Sequence, residues 1–245
     1  DGSMGSHTAA LSRDYADKPG CTGTLYFTQE EMDEFVWDAH RRGLQVSVHA
    51  IGDMAIERII SAYEKALAKM PAKDRRHRIE HFELPSQDHI ARALRLGLII
   101  SVQPAYEHFW GGSEGMYRLR LGEHRCCKTN PFNTMIKSGL LLIGGSDSDV
   151  TPMNPVLGIH SAVNHPFADH RISPLEALKM FTINAAAGAF AEKTKGSIEP
   201  GKAADLAVLD KNPLEVHPGK IKDIKVEMTF KDGNMVFTRR DACPV

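Results

Sequence analysis

Two histidines and an aspartate, His49, His81 and Asp147, have the types and spacing to hold a metal ion. Each stands at the end of a short strand-like run: LQVSV before His49, RIE before His81, LLLIGGS before Asp147. Neutral imidazoles bind Zn²⁺ well, and a carboxylate serves as both ligand and proton acceptor. A metal held this way lowers the pKa of bound water from ~15.7 to ~7, about 12 kcal/mol of differential stabilisation. Asp147 would take the water's proton and pass it to a leaving group, so the chemistry is hydrolysis. The expected cofactor is a divalent metal, zinc first, although iron, manganese and cobalt suit the same donors.

The elements that must position these residues repeat as strand then helix. Residues 44–48 are apolar, rich in β-branched types and too short for a helix, so they read as a strand with His49 at its tip. A helix follows from about Met54 to Met70, with Ile56, Ile59, Ile60, Tyr63 and Leu67 at helical spacing. Residues 78–81 form the second strand, and Ser86 caps a helix with Ile90, Ala93 and Leu94 facing inward. Residues 98–103 form the third strand, stopped by Pro104. A long loop runs from about 105 to 130, then a short helix over 131–138, and a fourth strand reaches Asp147. Strand alternation pairs Ser47 with His49, Ile79 with His81, and Gly145 with Asp147 on shared faces. This spacing fits a parallel α/β fold covered on both faces, with all four strand ends at one edge. In a (β/α)₈ barrel that edge is the active-site mouth.

The rest of the chain frames these units. Residues 1–27 read as an extended loop, and Thr28 with Glu31 opens a helix whose apolar face is Phe35, Val36 and Ala39. A helix is expected near 155–163 and a long one from Ser173-Pro174 to about Phe190. The character changes at Gly196. Beyond it, residues 204–209 read as a strand and 225–238 as a hairpin around Asp232-Gly233. The domain expectation is therefore a barrel segment over 1–195 and a small β segment over 196–245.

Other residues weigh differently. Asp149 competes with Asp147 for the same strand face, and the Gly144-Gly145 pair favours Asp147 as the last strand residue. Gln103, Tyr106, His108 and Trp110 follow the third strand and are candidates to line a substrate pocket, against plain aromatic packing in a loop. Glu80 and Glu83 flank His81 and read as salt-bridge partners outside the barrel. The run Arg75-Arg76-His77-Arg78 reads as a solvated loop rather than an anion site.

Composition narrows the class. The 245 residues carry 42% hydrophobic and 25% charged residues with a net charge of −1, ordinary for a soluble globular protein. Nothing in that balance points to nucleic acid or an anionic membrane. No apolar run approaches the ~18 residues of a membrane span, and the first residues lack a leader pattern, so the expected compartment is cytoplasmic. Cys21, Cys126, Cys127 and Cys243 show no C-x-x-C spacing and read as free thiols.

The ordered motifs carry a resemblance. DGS (1–3), TAAL (8–11), VSVHAIGD (46–53), RHRIEHFEL (76–84), SVQP (101–104), GGSDSDV (144–150), TINAAAGAF (182–190) and GSIEPGKAADLAVLDKNP (196–213) occur in sequence. The chain resembles the C-terminal portion of metal-dependent amidohydrolases, in the family-3 branch that includes N-substituted formamide deformylases. The resemblance implies barrel strands five to eight, followed by part of a small β-sandwich. It also implies that His49 and His81 ligate metal at the ends of strands five and six, and that Asp147, ending strand eight, is ligand and base.

Two departures accompany it. Asp149 stands where the family has a proline. The family's first-strand His-x-His pair and the lysine that bridges two metals in many relatives are absent, so one or two ions remain open. The expected function is hydrolysis of an amide or cyclic amide C–N bond by metal-activated water. The other barrel half is then expected in another chain or in sequence outside these residues, and exposed strand edges leave room for a homo-oligomer. The competing readings are an inactive fragment acting as a binding module, and a non-hydrolytic barrel such as an isomerase or lyase.

Overall fold

The computed structural model describes residues 1–239. Helix α1 (Gln29–Arg41) opens on a capping box between Thr28 and Glu31 and leads into β1 (Ser47–Ala50). Then come α2 (Asp53–Lys69), β2 (Arg78–His81), α3 (Gln87–Arg95) and β3 (Ile99–Val102). The stretch expected as a long loop holds three short helices instead, α4 (Ala105–Trp110), α5 (Met116–Leu121) and α6 (Glu123–Cys126). They form because Tyr117, Leu121 and Cys126 bury against Met4, Leu11 and Tyr15 of the N-terminal segment in a second core. That packing partner is more than 100 residues distant and invisible to local periodicity. Helix α7 (Phe132–Ser138) and β4 (Leu141–Gly144) complete the sheet.

The four strands pair in the order β1-β2-β3-β4, all parallel. Their helix-covered face is the main core, where Ile56, Ile59, Ile60 and Tyr63 of α2 meet Ile79, Ile100, Val102 and Leu142. Covering is not complete on the other face. All four residues of β3 are buried, but Ser47 and His49 of the edge strand β1 are exposed. Helix α1 buries Val36 and His40, one turn apart, and turns Phe35 outward to 59% exposure beside Tyr26 and Phe27. Leu94 of α3 likewise faces solvent while Ile90 and Ala93 bury.

Strand β4 ends at Gly144, three residues short of Asp147. Helix α8 (Pro155–Val163) follows, then a 3₁₀ turn at Ala168–His170. The single helix expected from Ser173 to Phe190 is two, α9 (Pro174–Met180) and α10 (Ile183–Gly188), broken where Thr182 leaves helical geometry. At that break the Phe181 ring fills the space beside Gly144 and Gly158, where an added Cβ would lie 2.6 and 2.3 Å from it. Ring insertion needs both glycines and dictates the kink.

The C-terminal segment contains β5 (Leu206–Leu209), a 3₁₀ helix at Pro218–Asp223, β6 (Val226–Lys231) and β7 (Asn234–Thr238). These strands form an antiparallel sheet, with the hairpin turning at Asp232-Gly233 as its residue types predict. Ile221 and Ile224 join the main core, which ties this segment to the α/β unit. Cys21, Cys126 and Cys127 are free thiols, whereas Cys243 lies outside the described residues. Among the described residues no helix is long and apolar enough to cross a membrane.

Candidate active site

At the C-terminal edge of the parallel sheet, His49 pairs in register with Glu80, and Ala50 with His81. Simple alternation would send His81 to the Ile79 side. Instead His81 and Phe82 adopt φ of 75° and 56°, left-handed values that neither side chain favours. Ile79 stays in the helix-covered core, and the His81 ring lies edge-on to His49 with centroids 4.4 Å apart. This break in alternation, which strand periodicity does not foresee, is what brings the two imidazoles together.

The stack continues through Tyr106, whose ring lies 5.9 Å from His81, to Trp110, 4.8 Å further on. The Tyr106 hydroxyl donates to Asp147 Oδ2 at 2.5 Å. Asp147 is exposed beyond the end of β4, with its own φ at 52°. Gln103 is buried between His81 and Gly145, its Nε2 donating to Ser101 O and its Oε1 unpartnered. His108 departs from this group. It lies on the other side of α4, against the His160 ring and in a separate cavity with Glu107. Asp149 is exposed.

Electrostatics favour neutral imidazoles. Burial, then the repulsion of His49, pushes the His81 pKa down to about 4, and burial also lowers that of His49. His81 Nδ1 is buried with no hydrogen-bond partner. His49 Nε2 donates to Gly2 O at 3.0 Å, leaving its Nδ1 as the lone-pair nitrogen. A metal-type donor set is thus present in part. Two neutral rings are in contact with one orphaned nitrogen, and a carboxylate stands one tyrosine away. Among the described residues, however, no three His, Cys, Asp or Glu side chains converge closely enough to hold an ion.

Three residues matter more than their local sequence suggests. Asp1 has no exposed side-chain surface and accepts from the backbone N–H of Ala10, Ile51 and Gly52 at 2.9, 3.1 and 2.8 Å. It pins the loop that leaves His49, and its one signal was the DGS motif. Glu83 makes no external salt bridge, contrary to expectation. It is 2% exposed, and burial pushes its carboxyl up to about 8 despite the Tyr117 hydroxyl beside it. The αL backbone at His81 and Phe82 redirects the chain here, so Glu83 points into the second core. Tyr117, in the unforeseen α5, is 1% exposed. Glu80 does form an ion pair, with Arg78 of its own strand, and it also accepts from Ser47 on the His49 face. Arg76 is held by Asp74 and Glu192, so internal carboxylates occupy the basic run.

Comparison with known proteins identifies the family. The model of the amidohydrolase family matches residues 1–237. A Bacillus subtilis protein described as putative amidohydrolase YtcJ is 32% identical over 98% of this chain and 46% of its own length. The N-substituted formamide deformylase of Arthrobacter pascens is 28% identical over 90% of this chain and 42% of its own. Among solved structures, an uncharacterized metal-dependent hydrolase from Pyrococcus furiosus superposes with a TM-score of 0.77. It shares 34% identity and covers 88% of this chain and 44% of that one. The chain therefore spans less than half the length of these relatives. With a match from the first residue to the hairpin of the last sheet, the chain belongs to the amidohydrolase family, family 3.

Proposed function

We propose that this chain carries strands five to eight of a (β/α)₈ metal-dependent hydrolase that cleaves an amide or cyclic amide C–N bond. On this reading residues 1–195 are the barrel part and 196–245 belong to the accompanying β-sandwich. The observation that carries the proposal is the His49–His81 ring pair, with His81 Nδ1 unpartnered, on the edge where Tyr106 holds Asp147. His49 and His81 would hold the metal, with zinc the first choice on donor chemistry. When bound, such an ion lowers the pKa of a coordinated water toward ~7 and polarises a carbonyl. Asp147 has Oδ2 held by Tyr106 and Oδ1 free to accept the attacking water's proton and deliver it to the leaving nitrogen. The remaining donors would come from the other half of the barrel, in sequence outside these 245 residues or in another chain. In support, β1 and β4 are sheet edges, and Tyr26, Phe27 and Phe35 are exposed beside β1. A homo-oligomer is a further way to cover these surfaces.

The test combines zinc titration with a turnover screen on amides and lactams. His81→Ala is expected to weaken zinc binding at least ~100-fold and abolish turnover, since it removes one ligand of a small set. Unchanged zinc uptake in that variant would sink the assignment. The competing inactive-module reading draws on the failure of three donors to converge among the described residues, and it predicts no stoichiometric zinc at all. Tyr106→Phe provides a finer check. Loss of the bond to Asp147 is expected to slow turnover by ~10-fold and alter its pH profile while zinc content stays constant. A drop in zinc content would instead place Tyr106 in the support of the metal.

A further inference from the structure

Beside the candidate metal site lies a second recess of about 320 Å³, lined by Glu83, Tyr106, Trp110, Met116, Tyr117 and Arg120. Its chemistry is specific. Glu83 contributes a carboxyl group that is 2% exposed, with the Tyr117 hydroxyl beside it and its Oε2 without a hydrogen-bond partner. Three aromatic side chains stand around it, with Tyr117 1% and Tyr106 7% exposed and Trp110 edge-on to Tyr106. The one guanidinium in the lining, Arg120, is committed through its two terminal nitrogens, while its Nε is buried without a partner. It pairs with Asp17 and donates from Nη2 to Gly5 O at 3.1 Å.

A buried carboxyl group with one oxygen left unpartnered is costly, and the cost is relieved by a ligand that brings its own N–H groups and positive charge. Aromatic rings within ~6 Å of a cation add attraction that a neutral or anionic group does not receive. We infer that this recess receives a protonated amine carried by the substrate, with Glu83 as the specificity-determining acceptor and Tyr106, Trp110 and Tyr117 as its aromatic wall. The inference rests on the hydrolase reading for the word substrate. Tyr106 joins the two sites, since it lines the recess and also holds Asp147. The substrate class is therefore an amide bearing an alkylammonium group a short chain away from the scissile C–N bond.

The test is direct binding, made in metal-free protein so that it does not depend on hydrolysis. The chain has two tryptophans, and Trp37 lies on α1 against Lys69, so Trp37→Phe leaves Trp110 as the sole reporter. Titration with n-butylammonium is expected to change Trp110 fluorescence saturably. 1-Butanol and butyrate, of similar size, are expected to bind at least ~10-fold more weakly. Glu83→Gln keeps the shape and is expected to reduce butylammonium affinity ~10-fold, with far-UV circular dichroism and melting confirming the fold. Tyr117→Phe, which keeps the ring, is expected to retain the preference. Equal binding of all three probes, binding of none, or a Glu83→Gln variant as tight as its parent would overturn the inference. Amine-selective binding without turnover of any amide would remove the hydrolase reading and leave the amine pocket. Turnover that is indifferent to a substrate's positive charge would remove the pocket alone.

Discussion

Stability is expected to hold a plateau between about pH 4.5 and 6.5 and to fall by roughly 2–3 kcal/mol by pH 8 and by pH 3. The alkaline limb comes from Glu83 and Glu107, which burial pushes up to about 8 and about 7. A group whose folded pKa is raised contributes fully below its unfolded pKa, here ~4.3, and loses that contribution as pH rises through the folded value. The acid limb comes from His77 and His165, pushed down by burial to about 4 and about 3. A depressed histidine contributes above its unfolded pKa of ~6.5 and loses that contribution as pH falls through the folded value. All four groups are at most 2% exposed, so each is worth on the order of 3–5 kcal/mol over its full window, and the opposing windows offset each other between ~4.3 and ~6.5.

The histidine limb has a visible cause. Val46 N–H donates to His77 Nδ1 at 3.0 Å, His77 Nε2 faces His40 Nδ1 at 2.9 Å, and His40 Nε2 faces Met70 O at 2.8 Å. One set of neutral tautomers satisfies the whole chain, and a proton on His77 Nδ1 would confront the Val46 N–H. Denaturant titrations between pH 3 and 9 would show the plateau and both limbs directly. Glu83→Gln combined with Glu107→Gln is expected to stabilise the protein at pH 8 and leave it nearly unchanged at pH 5. A wild-type protein more stable at pH 8 than at pH 5.5 would contradict this account.

Asp1→Ala is expected to destabilise the protein by about 4 kcal/mol. The substitution removes a fully buried carboxylate and strands the N–H groups of Ala10, Ile51 and Gly52. Those donors belong to the N-terminal loop and to the turn that leaves β1, so the damage extends to the placement of His49. Asp1→Asn, which keeps one acceptor oxygen, is expected to cost roughly half as much. The readout is the denaturation midpoint at constant m-value, together with zinc affinity. A loss below ~1 kcal/mol would show that water replaces the carboxylate at this position.

Much of the sheet was legible because its signals are local. The β-branched run before His49, the α2 stripe from Ile56 to Tyr63 and the Asp232-Gly233 turn each declare themselves within a few residues. Boundaries that depended on distant neighbours were not legible. The kink at Thr182 answers to Phe181 between two glycines of other elements, and α5 and α6 form on a surface supplied by residues 4–15. Phe35 carries the apolar character of an inward residue, yet it faces solvent because Val36 and His40 set the helix rotation.

By itself the sequence determined that this chain has parallel strand-helix units and which of them carry His49, end in His81 and precede Asp147, although β1 begins at Ser47 and runs one residue past His49. These follow from residue type and spacing along the chain. Only the tertiary structure decided that His81 turns into the left-handed region to meet His49, and that Tyr106 rather than His108 faces Asp147. It also decided that Glu83 is buried without a cation. The physical reason is common to all three. Backbone reversal at a strand tip, the facing side of a short helix and the burial of a carboxylate are selected by contacts between segments far apart in sequence. No periodicity within either segment encodes those contacts.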